Sequence, residues 1–364
     1  VKQRTIYFFA VLLGFISSAN AQHQDYSREM NELNNRIEKY FYKKGTNYYR
    51  EMGQAEARQR KVSYLWPLCA MFEATHEMGK LTGDFNTFEN VFRIISKYHN
   101  NQPPAPGYAS YSEEFGGGER FYDDNQWIGI TAMDAWKATG KKQWMDTGKE
   151  IYRFMMTGFD TASGGGLYWK EKDYSTKNTC SNGPGIILAL QLYQATHEKP
   201  YLDTAILLYN WVNKHLQTPE GLYLDNLKLK TGIADKRIYS YNSGTMMQSN
   251  LYFFEITGDK KYLTEAVRIG KASAKHFYGN GSFIDNYWFN AVLLRAYQHL
   301  LKYDQDPTMI SAFRVALDHA LTADKNERGL MGVKKEQNLV GQGGLLEILA
   351  RFAFMQKKGM IPGN

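Results

Sequence analysis

The chain has 364 residues, of which 43% are hydrophobic and 22% charged, a composition that excludes extended disorder and suits one large domain or two ordinary ones. Its formal net charge is +7, but the basic residues are scattered as pairs at predicted helix ends and turns, such as Lys141-Lys142 and Lys357-Lys358. Without a continuous basic stripe, nucleic acid is not an expected partner.

In chain order, the first segment reads as a secretory signal. Lys2 and Arg4 precede an apolar run from Ile6 to Ile16, and Ala19 and Ala21 fit a small-x-small cleavage site. Residues 1–21 are expected to be removed, leaving 22–364 as a single domain, exported to the periplasm or the exterior and expected to be a monomer. Loss of Lys2 and Arg4 takes the basic count from 44 to 42 against 37 acidic residues, so the net charge falls to +5. No cysteine follows the apolar run to carry a lipid, and no later segment is apolar enough to span a membrane.

The remainder is a repeat. An apolar helix ends in a short turn and a second, amphipathic helix follows, as at Leu81-Thr82-Gly83-Asp84-Phe85, Ala138-Thr139-Gly140-Lys141-Lys142 and Ile256-Thr257-Gly258-Asp259-Lys260. With Gly83, Gly140, Glu198, Gly258 and Asp306 as markers, the spacings are 57, 58, 60 and 48 residues. Glycine suits these turns because a helix C-terminus asks for the left-handed conformation.

The helices before the turns (64–78, 127–138, 185–195, 245–256, 287–300) are the more apolar, and those after them (88–98, 144–156, 201–215, 262–277, 310–321) carry a polar face. Adding 25–44 and 345–355 gives six inner and six outer helices, an all-α (α/α)6 barrel. Its short turns would lie on one face and its long loops, 100–122, 158–182, 216–241, 278–286 and 322–344, on the other. Gly166–Lys170 and Gly221–Asp225 have strand-like composition and should place small hairpins there.

Asp123 and Asp124 stand where a glycine-rich connector, Gly116-Gly117-Gly118, meets the helix that begins near Trp127. A single aspartate at a helix start is more often a cap than a catalyst. Two in succession cannot both cap, and adjacent helical residues point about 100° apart. Paired carboxylates are what a retaining glycosidase needs, one as nucleophile and one as acid/base, at a separation of roughly 5–5.5 Å. Around the same rim lie Asn182, Tyr241-Asn242-Ser243-Gly244, Asp285-Asn286-Tyr287-Trp288 and Gly341-Gln342. Singly, their polar residues read as helix caps; together they suit a cleft for sugar hydroxyls and ring faces.

Cys69 and Cys180 belong to no Cys-x-x-Cys or His/Cys cluster, and buried thiols are at least as expected as a disulfide. Asp304-Gln305-Asp306 is followed by Pro307 and reads as a helix cap, so neither a metal nor a cofactor is expected.

Tyr122-Asp123-Asp124-Asn125-Gln126-Trp127, the Gly165–Trp169 stretch leading to Lys177-Asn178 and Ser181-Asn182-Gly183-Pro184, and Tyr241-Asn242-Ser243-Gly244-Thr245 resemble glycoside hydrolase family 76, the endo-α-1,6-mannanases, over most of the chain. The family's usual Tyr-Asn-Gln-Gly is changed here by Ser243. The resemblance implies an (α/α)6 fold and retaining hydrolysis of α-mannan or mannooligosaccharides. It makes Asp123 the nucleophile and Asp124 the acid/base. Asn182, Tyr241 and Asn242 would contact sugar, Trp127 and Tyr122 would support or line the site, and Asp225 would serve a neighbouring subsite. Trp66, Trp169 and Trp288 are open to either stacking on sugar or packing.

The helix start should keep Asp123 ionised, while Asp124 beside it holds its proton to higher pH. Transglycosylation and non-catalytic mannan binding are the competing expectations, although a binding protein has no need of the aspartate pair. A sugar epimerase would need central histidines, and no histidine falls at an inner-helix start.

Overall fold

The computed structural model describes residues 24–53, 60–332 and 337–361; the expected signal segment at 1–21 lies outside them. Twelve α-helices are present among the described residues: α1 Tyr26–Phe41, α2 Leu65–Thr82, α3 Asn86–Ile95, α4 Tyr122–Thr139, α5 Lys142–Met156, α6 Thr179–Thr196, α7 Lys199–Leu216, α8 Ser240–Thr257, α9 Lys260–Phe277, α10 Tyr287–Leu300, α11 Thr308–Ala323 and α12 Leu339–Lys357. None of them is long and apolar enough to cross a membrane.

The even-numbered helices form a closed inner ring in which α2 packs on α4, α4 on α6, α6 on α8, α8 on α10, α10 on α12 and α12 on α2. Five hairpins pair each inner helix with the outer helix that follows it. The sixth joins the two ends of the chain, with α1 lying against α12 and Tyr26 against Phe352 at 5.4 Å between ring centroids. The fold is therefore the expected (α/α)6 barrel. Inner helices are buried nearly all round, Ile186 to Leu190 of α6 for example, whereas outer helices such as α3 bury one stripe, Phe88, Val91, Ile94 and Ile95.

At the short turns Gly83, Gly140 and Gly258 take left-handed backbone, and His197 takes the same conformation at φ 58° where the repeat lacks glycine. On the opposite face, Thr176–Asn178, Leu224–Lys228 and Ile233–Ile238 form a three-stranded antiparallel sheet. The 166–170 stretch makes isolated bridges to residues 121, 159 and 177 in place of a hairpin of its own.

The sequence places the starts of several inner helices too late. Helices α4, α6, α8 and α12 begin five or six residues before 127, 185, 245 and 345. Their glycines, and Pro184 inside α6, read as loop punctuation but lie in the first helical turns, where they let neighbouring helices touch. A Cβ on Gly244 would come within 2.9 Å of Leu293 Cα in α10, and one on Gly343 within 3.1 Å of Ala70 in α2. On Gly344 it would stand 2.5 Å from Trp288 Cα and 2.7 Å from the Tyr287 carbonyl carbon. Backbone cannot yield there as a flexible side chain would.

Gly344→Ala is expected to lower stability by about 3 kcal/mol, the upper end for overpacking, because the overpacked atoms are main chain. Gly140→Ala, with open space but φ 68°, should lose only about 1 kcal/mol. Urea unfolding midpoints compare the two, and equal losses would refute the close-approach account.

Candidate active site

Four inner helices bring their second residues to one cleft at the long-loop end. Trp66, Asp123, Tyr241 and Trp288, the second residues of α2, α4, α8 and α10, line a cleft of about 390 Å³ with Asp124 and Trp127. Tyr64, Phe121, Trp169 and Phe289 extend its aromatic walls, and Ser110 and Glu119 stand at its edge. Trp288 joins the wall together, with its ring 5.6 Å from Trp66 and 5.8 Å from Trp127. A larger groove of about 610 Å³ beside α9 and α11 is mostly apolar, and its two carboxylates are taken up by the local turn, Asp304 accepting the Asp306 N–H at 3.2 Å and Asp306 the Thr308 N–H at 2.9 Å.

Neither aspartate is the cap of α4. Phe121 holds that position in extended backbone, and Asp123 and Asp124 are the second and third residues. Asp123 Oδ1 accepts the Asp124 backbone N–H at 3.1 Å, and Oδ2 accepts the Trp169 indole N–H at 3.2 Å. The Cys180 thiol also donates to the Asp123 carboxyl and in turn accepts from the Tyr241 hydroxyl. Among the described residues Asp124 has no comparable set of donors. Burial pushes Asp123 up to about 6 against the pull of its donors, while burial and the neighbouring Asp123 charge push Asp124 well above its ordinary range. Of the two, Asp123 gives up its proton first.

The structure brings together seven of the residues singled out in the sequence: Asp123, Asp124, Trp127 and Tyr241, together with Trp66, Trp169 and Trp288. Asp225 lies close by. It accepts from Arg237 at 3.0 Å, and its charge bears on Cys180 and Tyr241.

Three others are placed elsewhere. Tyr122 is buried with its ring 5.1 Å from that of Phe154 and its hydroxyl 3.3 Å from Thr157 Oγ1, so it packs between α4 and α5. Asn182 is fully buried and clasps the backbone of Leu167, accepting from its N–H at 2.8 Å and donating to its C=O at 3.1 Å. Asn242 is fully buried, does not line the cleft, and has no hydrogen-bond partner among the described residues for its side-chain amide.

The Asn182 clasp is itself part of the repeat. The fourth residue of α4, Asn125, holds both backbone groups of Tyr108 at 2.7 and 2.9 Å, and the fourth of α12, Gln342, holds those of Met331 at 3.1 and 2.8 Å. In α10 the fourth residue, Asn290, donates to the Asp285 carbonyl at 2.8 Å. Ser243 has this place in α8, with its hydroxyl buried and without a hydrogen-bond partner among the described residues. The amides at the rim thus fasten long loops to helix starts, satisfying loop backbone that burial would otherwise leave unpaired.

Sequence reasoning passed over the thiols. Cys180 touches Asp123, and Cys69 donates to the Asp124 carbonyl at 3.3 Å; both are free and buried. Their position in the inner-helix register was the available signal. It also passed over a buried ionic layer deeper in the barrel, where Arg295 pairs with Asp134 at 2.7 Å and Arg351 with Glu347 at 2.7 Å and Glu77 at 3.4 Å. Burial and the Glu347 charge raise Glu73 well above its ordinary range there.

The barrel of six helical hairpins thus brings two adjacent carboxylates to an aromatic cleft. The family model for glycosyl hydrolase family 76 matches residues 27–325, most of the chain, and the protein belongs to that family. It is 28% identical over 152 residues to the mannan endo-1,6-alpha-mannosidase of Candida glabrata, a match covering 37% of this chain and 34% of that one. It is 23% identical over 231 residues to a putative mannan endo-1,6-alpha-mannosidase of Schizosaccharomyces pombe, covering 59% and 51%. The chain thus spans about a third to a half of the length of these curated relatives.

Among solved structures, the family 76 mannosidase of Bacteroides thetaiotaomicron superposes with a TM-score of 0.85 at 24% identity, over 92% of this chain and 100% of that one. An inactive variant of the Salegentibacter α-1,6-mannanase, in complex with α-1,6-mannotriose, does so at 0.76 with 19% identity, over 91% and 100%. At these identities the likeness establishes the fold.

Because Asp124 binds its proton more tightly in the folded chain than in the unfolded one, it contributes less stability as pH rises above its ordinary value of 3.8. Asp124→Asn is therefore expected to raise the melting temperature by about 2–4 °C at pH 8 and to leave it nearly unchanged at pH 4. Scanning calorimetry at both pH values checks this; an equal gain at each would exclude ionisation as its source.

Proposed function

We propose that this protein is a retaining glycoside hydrolase that cleaves α-1,6-mannosidic bonds within mannan backbones, with Asp123 as nucleophile and Asp124 as acid/base. The observation that carries the assignment is the asymmetry of the pair. Asp123 has backbone, indole and thiol donors to hold a negative charge, and Asp124 has burial and a negative neighbour to keep a proton. The substrate class is supported by the names of the fungal relatives and by the mannotriose bound to the Salegentibacter enzyme.

In the first step an oxygen of the Asp123 carboxylate bonds to the anomeric carbon as the bond to the departing sugar oxygen breaks. That oxygen takes the Asp124 proton. Esterification removes the charge on Asp123, and with it the repulsion that kept Asp124 protonated. The Asp124 carboxylate then takes a proton from water as the water oxygen attacks the anomeric carbon and releases Asp123. One water is consumed, and the anomeric configuration is retained through two inversions. Trp66, Trp127 and Trp288 supply apolar ring surface for sugar faces, and Tyr241 and the carboxylates supply polar groups.

Time-resolved proton NMR on a linear α-1,6-mannooligosaccharide should show new reducing ends first as the α anomer. Asp124→Asn should lower kcat by roughly 10²–10⁴, the usual contribution of a general acid. A first product in the β form would overturn the nucleophile assignment, and binding without cleavage would replace hydrolysis by carbohydrate binding.

A further inference from the structure

Trp169 lies in the loop ahead of α6, yet its contacts are with the entry to α4. A short antiparallel ladder joins the two segments: the Tyr122 N–H donates to the Trp169 carbonyl at 3.1 Å, and the Glu171 N–H to the Arg120 carbonyl at 3.0 Å. Across it the Arg120 guanidinium pairs with the Glu171 carboxylate. The indole stands edge-on to Phe121, 5.0 Å between centroids. Its backbone thus satisfies one of the unpaired N–H groups at the start of α4, while its Nε1–H reaches Asp123 Oδ2 at 3.2 Å.

We propose that Trp169 is a positioning residue for Asp123: its indole N–H fixes the orientation of the carboxylate, with Oδ1 held by the helix backbone and Oδ2 held from the facing loop. The proposal rests on the reading of Asp123 as nucleophile. Trp169 is 38% exposed, so core packing does not account for the large ring, and a phenyl group would serve equally as an apolar wall. What the indole adds is one donor, aimed at one oxygen.

The other groups facing Asp123 are Asp124 on its own helix, the Cys180 thiol from α6, the Tyr241 phenol from α8 and the Cys69 thiol from α2. Asp225 acts on Cys180 and Tyr241, and at the rim the Lys170 ammonium is engaged by Glu119 at 2.6 Å. The charge of Asp123 is therefore supported by neutral donors, and removal of one of them should be felt in its ionisation.

Trp169→Phe keeps the ring and the backbone ladder and deletes the donor. With side-chain carboxyls labelled with carbon-13, and the Asp123 resonance assigned by its loss in Asp123→Asn, the Asp123 titration midpoint is expected to rise by about half a unit to one unit. The acid limb of kcat/KM should move up by the same interval. At pH 5 the variant would be about three- to ten-fold less active than the parent, and at pH 8 less than about two-fold, with KM nearly unchanged. An unshifted titration, or a loss of activity equal at every pH, would overturn the proposal and leave Trp169 a packing residue. The NMR titration needs no turnover. A protein that fails to cleave mannooligosaccharides would therefore sink the hydrolase reading, while the titration still decides whether Trp169 governs Asp123.

Discussion

The close approach of the inner helices at the long-loop end is the constraint on which the site depends. Where Gly244, Gly343 and Gly344 meet the neighbouring helices, only the missing side chain lets the main chains come together. That contact draws the first turns of six helices into one ring, so that residues tens of positions apart in sequence share one small space. Trp66, Asp123, Cys180, Tyr241 and Trp288 meet because each is second in its helix. A wider ring would leave a polar mouth with its groups out of mutual reach.

A second constraint is that the long loops must be tied to that ring. The Asn125, Asn182 and Gln342 side chains each take one backbone N–H and one C=O from a buried loop residue, the pairing that a strand neighbour would otherwise supply. The consequence reaches the chemistry. Asn182 anchors Leu167, two residues from Trp169, and Trp169 reaches back to α4 and Asp123. An amide that resembles a sugar ligand in sequence thus acts one step removed, by holding the segment that carries a contact of the carboxylate.

The asymmetry of the two aspartates comes from their surroundings, since their place on the helix is nearly the same. The helix start favours negative charge on either of them. Donors from another helix and from a facing loop converge on Asp123, and burial with no such set of donors falls to Asp124. Two identical side chains in adjacent positions can thereby lose their protons in order, Asp123 before Asp124.

By itself the sequence determined the number and alternation of the helices, because a repeat of 48 to 60 residues with apolar and amphipathic halves has few ways to bury its faces. It also determined that the Asp123-Asp124 pair stands at a helix start on the long-loop side, since Gly116–Gly118 and the apolar period beyond Trp127 bracket it. Only the tertiary structure decided where α6, α8 and α12 begin, because a glycine that permits close packing is spelled the same way as one that ends a helix. It alone decided that Asn182 faces a loop, that Tyr122 packs on Phe154, and that Cys180 and Trp169 touch Asp123. Those contacts join residues from 15 to 57 positions apart, and their direction depends on how two helices or a helix and a loop are rotated against each other. Local propensity carries no information about that rotation; the packing of side chains across the ring sets it.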